Sequence, residues 1–453
     1  MSNYNNIGNV FQKNDNINLE CSNISLAKLK TTNSTLNSKN QEILNNDVNY
    51  VDNENNLDYI LNKSISDSIN KKKKQATQSA ASLNSKKEMK LYSKFGFKVS
   101  QNYTIKEIIG KGSYGTVAAA IETSYGAQVA IKKVTNIFTR DILMKRAIRE
   151  LKFMRYFKGH KNIVNLLDLE IVFDKGYDGL YCYQEMVDYD LARVIHSSVQ
   201  FSEFHIQHFF YQIMCGLKYI HSADVIHRDL KPGNILCSIQ GTLKICDFGL
   251  ARGINEDLFE KIKSESGVQS HITSYVATRW YRAPELMLCR KKYSKAVDIW
   301  ACGCILAEFY GRKPIFMGND QMHQIVEILK VLGTPKTETI MKYGSSVAVE
   351  IFTLPKPQYG KMPWKTIYSF ASDRGLDLIE KMLKWDSDLR LTCDEVLQHS
   401  FFDDIRNEKE ENVCPYGPFD FEYEQHVTSM DDLTKLLFKE VEEFKKIKAN
   451  VYI

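Results

Sequence analysis

Three features that often reveal a protein's class are missing from this 453-residue sequence: a long apolar run, a CxxC cysteine pair and a large excess of one charge. No apolar run approaches the roughly 18 residues that a membrane-spanning helix needs, so we expect no membrane segment. The ten cysteines form no CxxC pair, and neither a zinc site nor a disulfide framework is indicated. The net charge is only +5, which gives no indication of nucleic-acid binding. Because no signal peptide is evident, we expect reduced thiols and a cytoplasmic or nuclear protein.

Residues 1–95 differ in composition from the rest of the chain. Asparagine fills 17 of the first 60 positions, and large apolar residues are sparse there. Such a segment buries too little apolar surface to offset the entropy of ordering it, so we predict a disordered extension. Its basic runs, Lys71–Lys74 and Lys86 with Lys87, are interpreted either as a nuclear-localisation signal or as a solvated linker.

From Tyr103 onward the pattern predicts a small β-rich part followed by a larger helical part. Three short β-type runs come first: Tyr103–Ile109, Thr116–Glu122 and Ala127–Val134. A helix is predicted from about 140 to 157, and its spacing puts Glu150 on the apolar face. A buried carboxylate there needs a cationic partner. The sequence after Gln184 is mainly helical. We therefore predict an α+β fold with two lobes.

A glycine-rich stretch, Gly110–Val117, fits the pattern GxGxxGxV. Glycines let backbone amides approach phosphates closely, but the same spacing also begins dinucleotide-binding units. A dinucleotide motif continues into a helix, whereas here a strand-like run follows. The next such run carries Lys132 in the sequence Val-Ala-Ile-Lys, and Lys132 is the natural partner for Glu150.

The strongest single signal is His227–Asn234, which satisfies HRDLxxxN in full. In this motif Asp229 can accept a hydroxyl proton, Lys231 can neutralise a moving phosphoryl group, and Asn234 can bind Mg²⁺. Asp247 begins an Asp-Phe-Gly triplet, whose carboxylate is suited to Mg²⁺, and an Ala-Pro-Glu triplet closes the segment at Glu285.

These five motifs, in this order, resemble the eukaryotic protein kinases over about 97–446. The stretch Tyr275–Glu285 resembles the MAP kinases in particular, and so does the insert formed by Gly318–Pro335 and Ile351–Trp364. Within that family, three features are similar to the yeast sporulation-specific subgroup: Tyr183–Glu185, Asp188–Arg193, and the non-acidic middle residue of the triplet Thr273–Tyr275 in the phosphorylation lip. The resemblance implies a two-lobed kinase fold divided into four parts: 1–95 as the extension, 96–183 as the small lobe, 184–406 as the large lobe, and 407–453 as an acidic stretch and a tail that packs on the small lobe.

The same resemblance assigns roles by position. Catalytic roles are implied for Asp229, Lys231, Lys132, Glu150 and Thr278. Contacts with ATP are implied for the glycine-rich loop, the lysine and the hinge: Ile109, Gly110, Lys111, Gly112, Ser113, Tyr114, Gly115, Thr116, Val117, Lys132, Glu185 and Val187. Magnesium ligands are implied at Asn234 and Asp247. Cys246 faces the nucleotide site, either as a buried spacer or as a reactive thiol.

The resemblance also implies a switch and a set of partners. Phosphorylation is expected at Thr273 and Tyr275, with phosphate bound by arginines at matching positions: Arg149, Arg228, Arg252, Arg279 and Arg282. Docking of basic peptides is expected at Glu408, Glu410 and Glu411. The implied partners are protein substrates with Ser/Thr-Pro sites, an upstream kinase and phosphatases, and the protein is expected to be a monomer that uses ATP and Mg²⁺.

Two departures from the family pattern leave alternatives open. Ser274 replaces the usual middle residue of the lip, and Asn407 replaces an expected docking acid, so a plain solvated acidic turn remains an alternative there. Two rival functions also stand beside the MAP kinase interpretation. One is a cyclin-dependent-type kinase, which the Thr-x-Tyr lip disfavours. The other is a pseudokinase scaffold, which the presence of all the catalytic motifs disfavours.

Overall fold

The structure is a computed structural model that describes the chain from residue 95 to 451 with several internal gaps. The described residues are 95–112, 115–174, 176–254, 279–288, 294–343, 348–349, 352, 358–424, 426–427 and 429–451. Within them, no helix is both long and apolar enough to cross a membrane.

The first part of the described chain is a five-stranded antiparallel sheet, with strand order β1-β2-β3-β5-β4. Its strands are β1 (Tyr103–Gly112), β2 (Gly115–Glu122), β3 (Gln128–Val134), β4 (Leu166–Val172) and β5 (Gly179–Glu185). The predicted strands all form, with ends shifted by a few residues at most. Alternating side chains such as Ile105, Ala118 and Ile131 are buried on one face of this sheet.

Helix α1 (Asp141–Tyr156) lies between β3 and β4 in the sequence, where the apolar periodicity predicts it. Asp141 in its first turn and Arg155 in its last turn complement the helix dipole. The buried face contains Met144, Ala147 and Leu151, and it also carries the charged pair Arg149 and Glu150. Helix α1 thus brings two charges into a largely apolar contact.

The large lobe is mainly helical, with short strands at its front edge. Its described elements are β6 (Tyr189–Asp190), α2 (Leu191–His196), α3 (Glu203–Ser222), β7 (Val225–Ile226), β8 (Ile235–Cys237), β9 (Leu243–Ile245), β10 (Arg252–Gly253), α4 (Pro284–Leu288), α5 (Ala296–Gly311), α6 (Gln321–Leu332), α7 (Thr337–Tyr343), α8 (Trp364–Ile367), α9 (Asp373–Met382) and α10 (Cys393–Leu397). One more helix, α11 (Met430–Val451), follows the large lobe. Ser202 caps α3 through a capping box with His205. Helix α5 is buried on nearly all sides, as its apolar sequence indicates.

The last helix, α11, packs against α1 and β4 of the small lobe. The buried carboxylate of Glu440 pairs with Lys152, and its second oxygen lies 3.2 Å from Arg155. Farther along α11, the Lys448 ammonium lies 2.5 Å from the Asp168 carboxylate. Ion pairs therefore flank the apolar contact made by Leu433, Leu437 and Val441.

The chain immediately before β1 packs on the face of the sheet that carries Ile105, Ala118 and Ile131. The Phe97 side chain is fully buried and meets Tyr181 edge to face, with ring centroids 5.8 Å apart. Phe95 packs against the same cluster. Residues 1–94, with the predicted disorder and the basic runs, lie outside the described residues.

Candidate active site

The structure brings Lys132 of β3 and Glu150 of α1 together. The Lys132 Nζ lies 2.5 Å from a Glu150 carboxylate oxygen, and the two side chains are only 17% and 12% exposed. Burial acts to lower the pKa of Lys132, but the charges of Glu150 and Asp247 outweigh it and raise that pKa. Lys132 is therefore a permanent cation, fixed in place by the helix that carries Glu150.

Asp247 lies close enough to this pair for its charge to act on Lys132, and its backbone conformation is unusual. Its φ of 63° and ψ of 72° place it in the left-handed region, which is strained for a non-glycine residue. Burial acts to raise the pKa of Asp247, but the positive charges of Lys132, His227 and Arg146 together hold it below its usual value. Asp247, Lys132 and Glu150 line one cavity. An ionised carboxylate thus faces the lysine.

The segment 227–234 forms a second cluster of polar contacts around Asp229. Its carboxylate oxygen Oδ2 accepts hydrogen bonds from Lys231 Nζ and from Asn234 Nδ2, each at 2.8 Å. The Asn234 amide also donates to the Asp229 carbonyl at 2.8 Å. These contacts fix the Asp229 side chain, with an ammonium group directly beside it.

Asp298 of α5, which the sequence analysis missed, binds the backbone of the 227–234 segment. Its fully buried carboxylate accepts the backbone N–H groups of His227 and Arg228, each at 2.8 Å, and lies 2.9 Å from His221 Nε2. Burial acts to raise the pKa of Asp298, but the hydrogen bond and charge of His221 keep it low. The signal was present in the sequence, since an acid inside the nearly continuous apolar run of α5 requires partners.

The glycine-rich loop forms a hairpin between β1 and β2, in which Gly112 pairs with Gly115. A strand follows the glycines, as the kinase interpretation predicts and the dinucleotide interpretation does not. A Cβ at Gly115 would lie 2.1 Å from the Lys133 carbonyl oxygen, so only glycine fits there. No described atom lies within 4 Å of an added Cβ at Gly112. Ser113 and Tyr114 lie outside the described residues.

The hinge follows β5, between the two lobes. The Glu185 carboxylate accepts the Asn165 backbone N–H at 2.7 Å and pairs with Lys244 at 2.9 Å, which fixes the chain just before Val187. Behind the hinge, burial raises the pKa of the Cys246 thiol, whose sulfur donates to the Asn234 carbonyl at 3.3 Å. This environment favours the buried-spacer interpretation of Cys246, because reactive cysteines need a stabilised thiolate.

Three of the predicted phosphate-binding arginines lie near the start of the lip, but their contacts differ. Arg149 makes two hydrogen bonds, at 2.8 and 3.0 Å, to the carboxylate of Glu424 in the chain before α11. Arg228 Nη1 donates to the Leu250 carbonyl at 3.2 Å, and Arg252 Nη1 donates to the Ala251 carbonyl at 2.7 Å. Glu424 was not predicted as part of this cluster, because no local spacing connects it with Arg149.

The structure describes only part of the phosphorylation lip. Thr273, Tyr275 and Thr278 lie outside the described residues. Beyond them, Arg279 donates to the Asn319 carbonyl, and Arg282 lines a pocket with Asp229. The segment closes at Glu285, whose buried carboxylate makes two hydrogen bonds to Arg390, at 2.6 and 2.7 Å. Arg390 was also missed by the sequence analysis.

The predicted docking acids have unequal exposure. The Glu411 side chain is only 4% exposed, and it bonds to Arg406, to the Tyr211 hydroxyl and to Lys218. It is therefore a structural residue and not an exposed docking acid. Glu410 pairs with Lys161 at 3.2 Å, whereas the Glu408 side chain is 78% exposed. Only Glu408 and Glu410 remain as surface acids of the predicted set.

This site lies between a β-rich lobe and a helical lobe. It combines a lysine on a strand paired with a glutamate on a helix, and the loops that carry Asp229 and Asp247. That combination defines a protein kinase. The sequence matches the family model for the protein kinase domain over residues 103–402. It is 56% identical to the sporulation-specific mitogen-activated protein kinase SMK1 of Saccharomyces cerevisiae, over 82% of this chain and 96% of that protein. It is 46% identical to the mitogen-activated protein kinase SLT2/MPK1 of the same yeast, over 77% of this chain and 71% of that protein. The mitogen-activated protein kinase MPS1 of Pyricularia oryzae is 43% identical, over 78% of this chain and 82% of that protein.

The chain belongs to the MAP kinase family of serine/threonine protein kinases. This assignment confirms the predicted family, fold class and enzyme class. It also separates the chain from the cyclin-dependent-type alternative.

Proposed function

We propose that this MAP kinase is catalytically active and proline-directed, that it uses Mg²⁺ and ATP, and that phosphorylation of its Thr-Ser-Tyr lip switches it on. One observation supports activity most directly: Asp229 is held by Lys231 and Asn234 while the Lys132–Glu150 pair is formed. A pseudokinase scaffold has no need to maintain both arrangements.

Each residue has a definite part in the proposed reaction. The magnesium complex of ATP, when bound, supplies the phosphoryl group and neutralises part of its charge. Asp229 accepts the proton of the substrate hydroxyl, and Lys231, 2.8 Å away, balances the negative charge that accumulates beside it. Lys132 provides a fixed cation for the phosphates.

The donor set around the cleft fits a magnesium ion. Mg²⁺ prefers a few protein oxygens and completes its shell with water and phosphate oxygens. The Asp247 carboxylate, whose pKa is held low, and the amide oxygen of Asn234 are such ligands. Because Asn234 donates to Asp229 through its amide nitrogen, its oxygen is the atom that serves the metal.

Substrate choice and biological setting follow from the family resemblance. The Val276–Arg282 stretch keeps the MAP kinase pattern, which supports a pocket for proline directly after the phosphoacceptor. A related yeast protein is named as sporulation-specific, and we propose a similar setting here. An upstream kinase and phosphatases would set the state of Thr273 and Tyr275. The exposed Glu408 and neighbouring Glu410 would contact basic docking peptides, and the protein would act as a monomer in the cytoplasm or nucleus.

The test is an assay of purified, lip-phosphorylated protein with ATP and a peptide array. We expect strong transfer to Ser and Thr followed by proline, and loss of transfer by orders of magnitude in Asp229→Asn, which removes the proton acceptor. Glu422→Gln is the matched control, because this acid is exposed and takes no part in the proposed reaction. Near wild-type transfer by Asp229→Asn would refute the proposed role, and no enrichment of proline would refute the specificity.

A further inference from the structure

The Glu424 carboxylate binds Arg149, one of the arginines that are proposed to bind the phosphate of phospho-Thr273. It makes a bidentate contact with Arg149, through Nε at 2.8 Å and Nη2 at 3.0 Å. The Arg149 side chain is 6% exposed, so its charge is removed from water and needs a negative partner. A guanidinium binds carboxylate and phosphate through the same paired N–H groups. Glu424 thus offers Arg149 the same kind of paired oxygen acceptors that are expected from phospho-Thr273, with less negative charge.

A second arginine of the same cluster also acts on Glu424. Burial acts to raise the pKa of Glu424, but the hydrogen bonds and charge of Arg149 and the charge of Arg252 hold that pKa below its usual value. The carboxylate is therefore ionised within reach of two of the three arginines assigned to the phosphothreonine.

Aromatic packing fixes the segment that carries Glu424. Phe419 and Phe421 lie with ring centroids 4.6 and 5.8 Å from Phe153 of α1. The ring of Phe421 also lies so close to β10 that a Cβ at Gly253 would come within 2.2 Å of it. The segment therefore contacts both α1 and the first residues of the lip segment, and it is not a loosely attached tail.

Neighbouring residues set the direction of Glu424. The Tyr423 hydroxyl donates to Glu424 Oε1 at 3.0 Å, and the Lys152 ammonium lies 4.4 Å from the centre of the Tyr423 ring. Glu150, the partner of Lys132, follows Arg149 directly in the sequence. Any force that holds Arg149 therefore also holds the turn of α1 that carries Glu150.

We propose that Glu424 is a positioning residue: an internal carboxylate that binds Arg149 in place of phospho-Thr273, holds α1 with Glu150 against Lys132, and is exchanged for the phosphate on activation. This inference rests on the proposed lip switch. It extends that switch to a second, intramolecular ligand for the same arginine. The carboxylate sustains basal activity and at the same time reduces the gain that phosphorylation can produce.

The test compares wild type, Glu424→Gln and Glu422→Gln, each with and without phosphate at Thr273. Glutamine keeps the size of Glu424 but removes the charge, and Glu422 is an exposed acid in the same 3-10 turn, Glu422–Glu424. We expect Glu424→Gln to lower kcat only in the unphosphorylated protein, and phosphorylation to restore it. The activation factor should then exceed that of wild type by about fivefold or more, the lower end of typical coupling between sites. Glu422→Gln should match wild type in both states.

Hydrogen exchange in α1 provides a second measurement that does not depend on turnover. Unphosphorylated Glu424→Gln should exchange faster at 141–156, and phosphorylation should restore protection. Equal losses in both states would make Glu424 a packing residue only, and an unchanged activation factor would equally overturn the proposal. If phosphorylation fails to activate wild type, the lip switch itself is wrong and this inference falls with it.

Discussion

Replacing Asp298 by Asn should weaken both the fold and the catalytic loop. The carboxylate is fully buried and accepts three hydrogen bonds, from two backbone N–H groups and His221. Asparagine keeps the shape, but its NH₂ group must face a donor. The charge-assisted bonds are worth about 1.5–3 kcal/mol each, and an unsatisfied buried donor costs a further 1–3 kcal/mol or so. We expect a loss of about 3–5 kcal/mol in the free energy of unfolding, the range for breaking a buried charge network.

The assay is thermal unfolding beside kinase turnover. With an unfolding entropy of about 2.1 cal/mol/K per residue over roughly 350 folded residues, this loss corresponds to a fall in Tm of about 4–7 °C. Because His227 and Arg228 precede Asp229, loosening their backbone should also displace the proton acceptor. A displacement of about 1 Å can reduce transfer by about 10²-fold.

The matched control is Asp224→Asn. Asp224 pairs with Lys295 at 2.7 Å, but its side chain is 48% exposed, and Asn tolerates its positive φ. An exposed pair contributes less than about 1 kcal/mol, so Tm should hardly change. The reasoning about Asp298 is refuted if its variant melts no lower than the control, or if it retains full turnover.

Acid unfolding offers a related check on the same residue. The pKa of Asp298 in the folded protein is depressed below the ordinary 3.8. Its ionised form therefore contributes stability above that ordinary value, and the contribution is lost as the pH falls through the folded pKa. The wild type should lose more stability than Asp298→Asn over this acidic range.

Three further predictions concern the lysine, the extension and the lip. Lys132→Arg should reduce transfer by orders of magnitude at saturating ATP with little change in melting, because arginine keeps the charge but not the compact ammonium; full turnover would contradict this. Deletion of 1–94 should leave turnover within a few-fold of wild type. Deletion through Val99 also removes the buried Phe97, and urea unfolding should show a loss of stability of roughly 3–5 kcal/mol. Equal stability of the two truncated proteins would contradict the packing argument. In the lip, Thr273→Ala and Tyr275→Phe should each lose kinase activity, whereas Ser274→Ala should change it little. Loss of activity in Ser274→Ala alone would refute the assignment.

Local spacing was sufficient to predict the parts of the site that lie close together in sequence. Helical periodicity placed Glu150 on an apolar face, where a carboxylate needs a cation, and this predicted its contact with Lys132, which the structure shows at 2.5 Å. The same holds for the glycine hairpin, because a strand after the glycines distinguishes it from a dinucleotide motif.

Partners distant in sequence could not be predicted in this way. Asp298, Arg390 and Glu424 meet their partners across 71, 105 and 275 residues, and no local pattern encodes such a contact. Glu411 was predicted as an exposed acid because it lies in an acidic run. Its burial against Tyr211, which depends on tertiary packing, could not be predicted from that run. In each case tertiary packing decided what the charge does.

The attachment of α11 to α1 also bears on the order in which the protein is made. Lys152 and its partner Glu440 are separated by 288 residues, and every catalytic residue of the site lies before Glu440 in the sequence. A ribosome therefore completes the whole cleft before it makes the acid that neutralises this cation on α1. Until residues 430–451 have left the ribosome, α1 carries an uncompensated positive charge and an uncovered apolar face. A chain that stops early would contain all the catalytic residues and still have the helix of Glu150 poorly held, so premature termination should give an inactive product instead of an unregulated kinase.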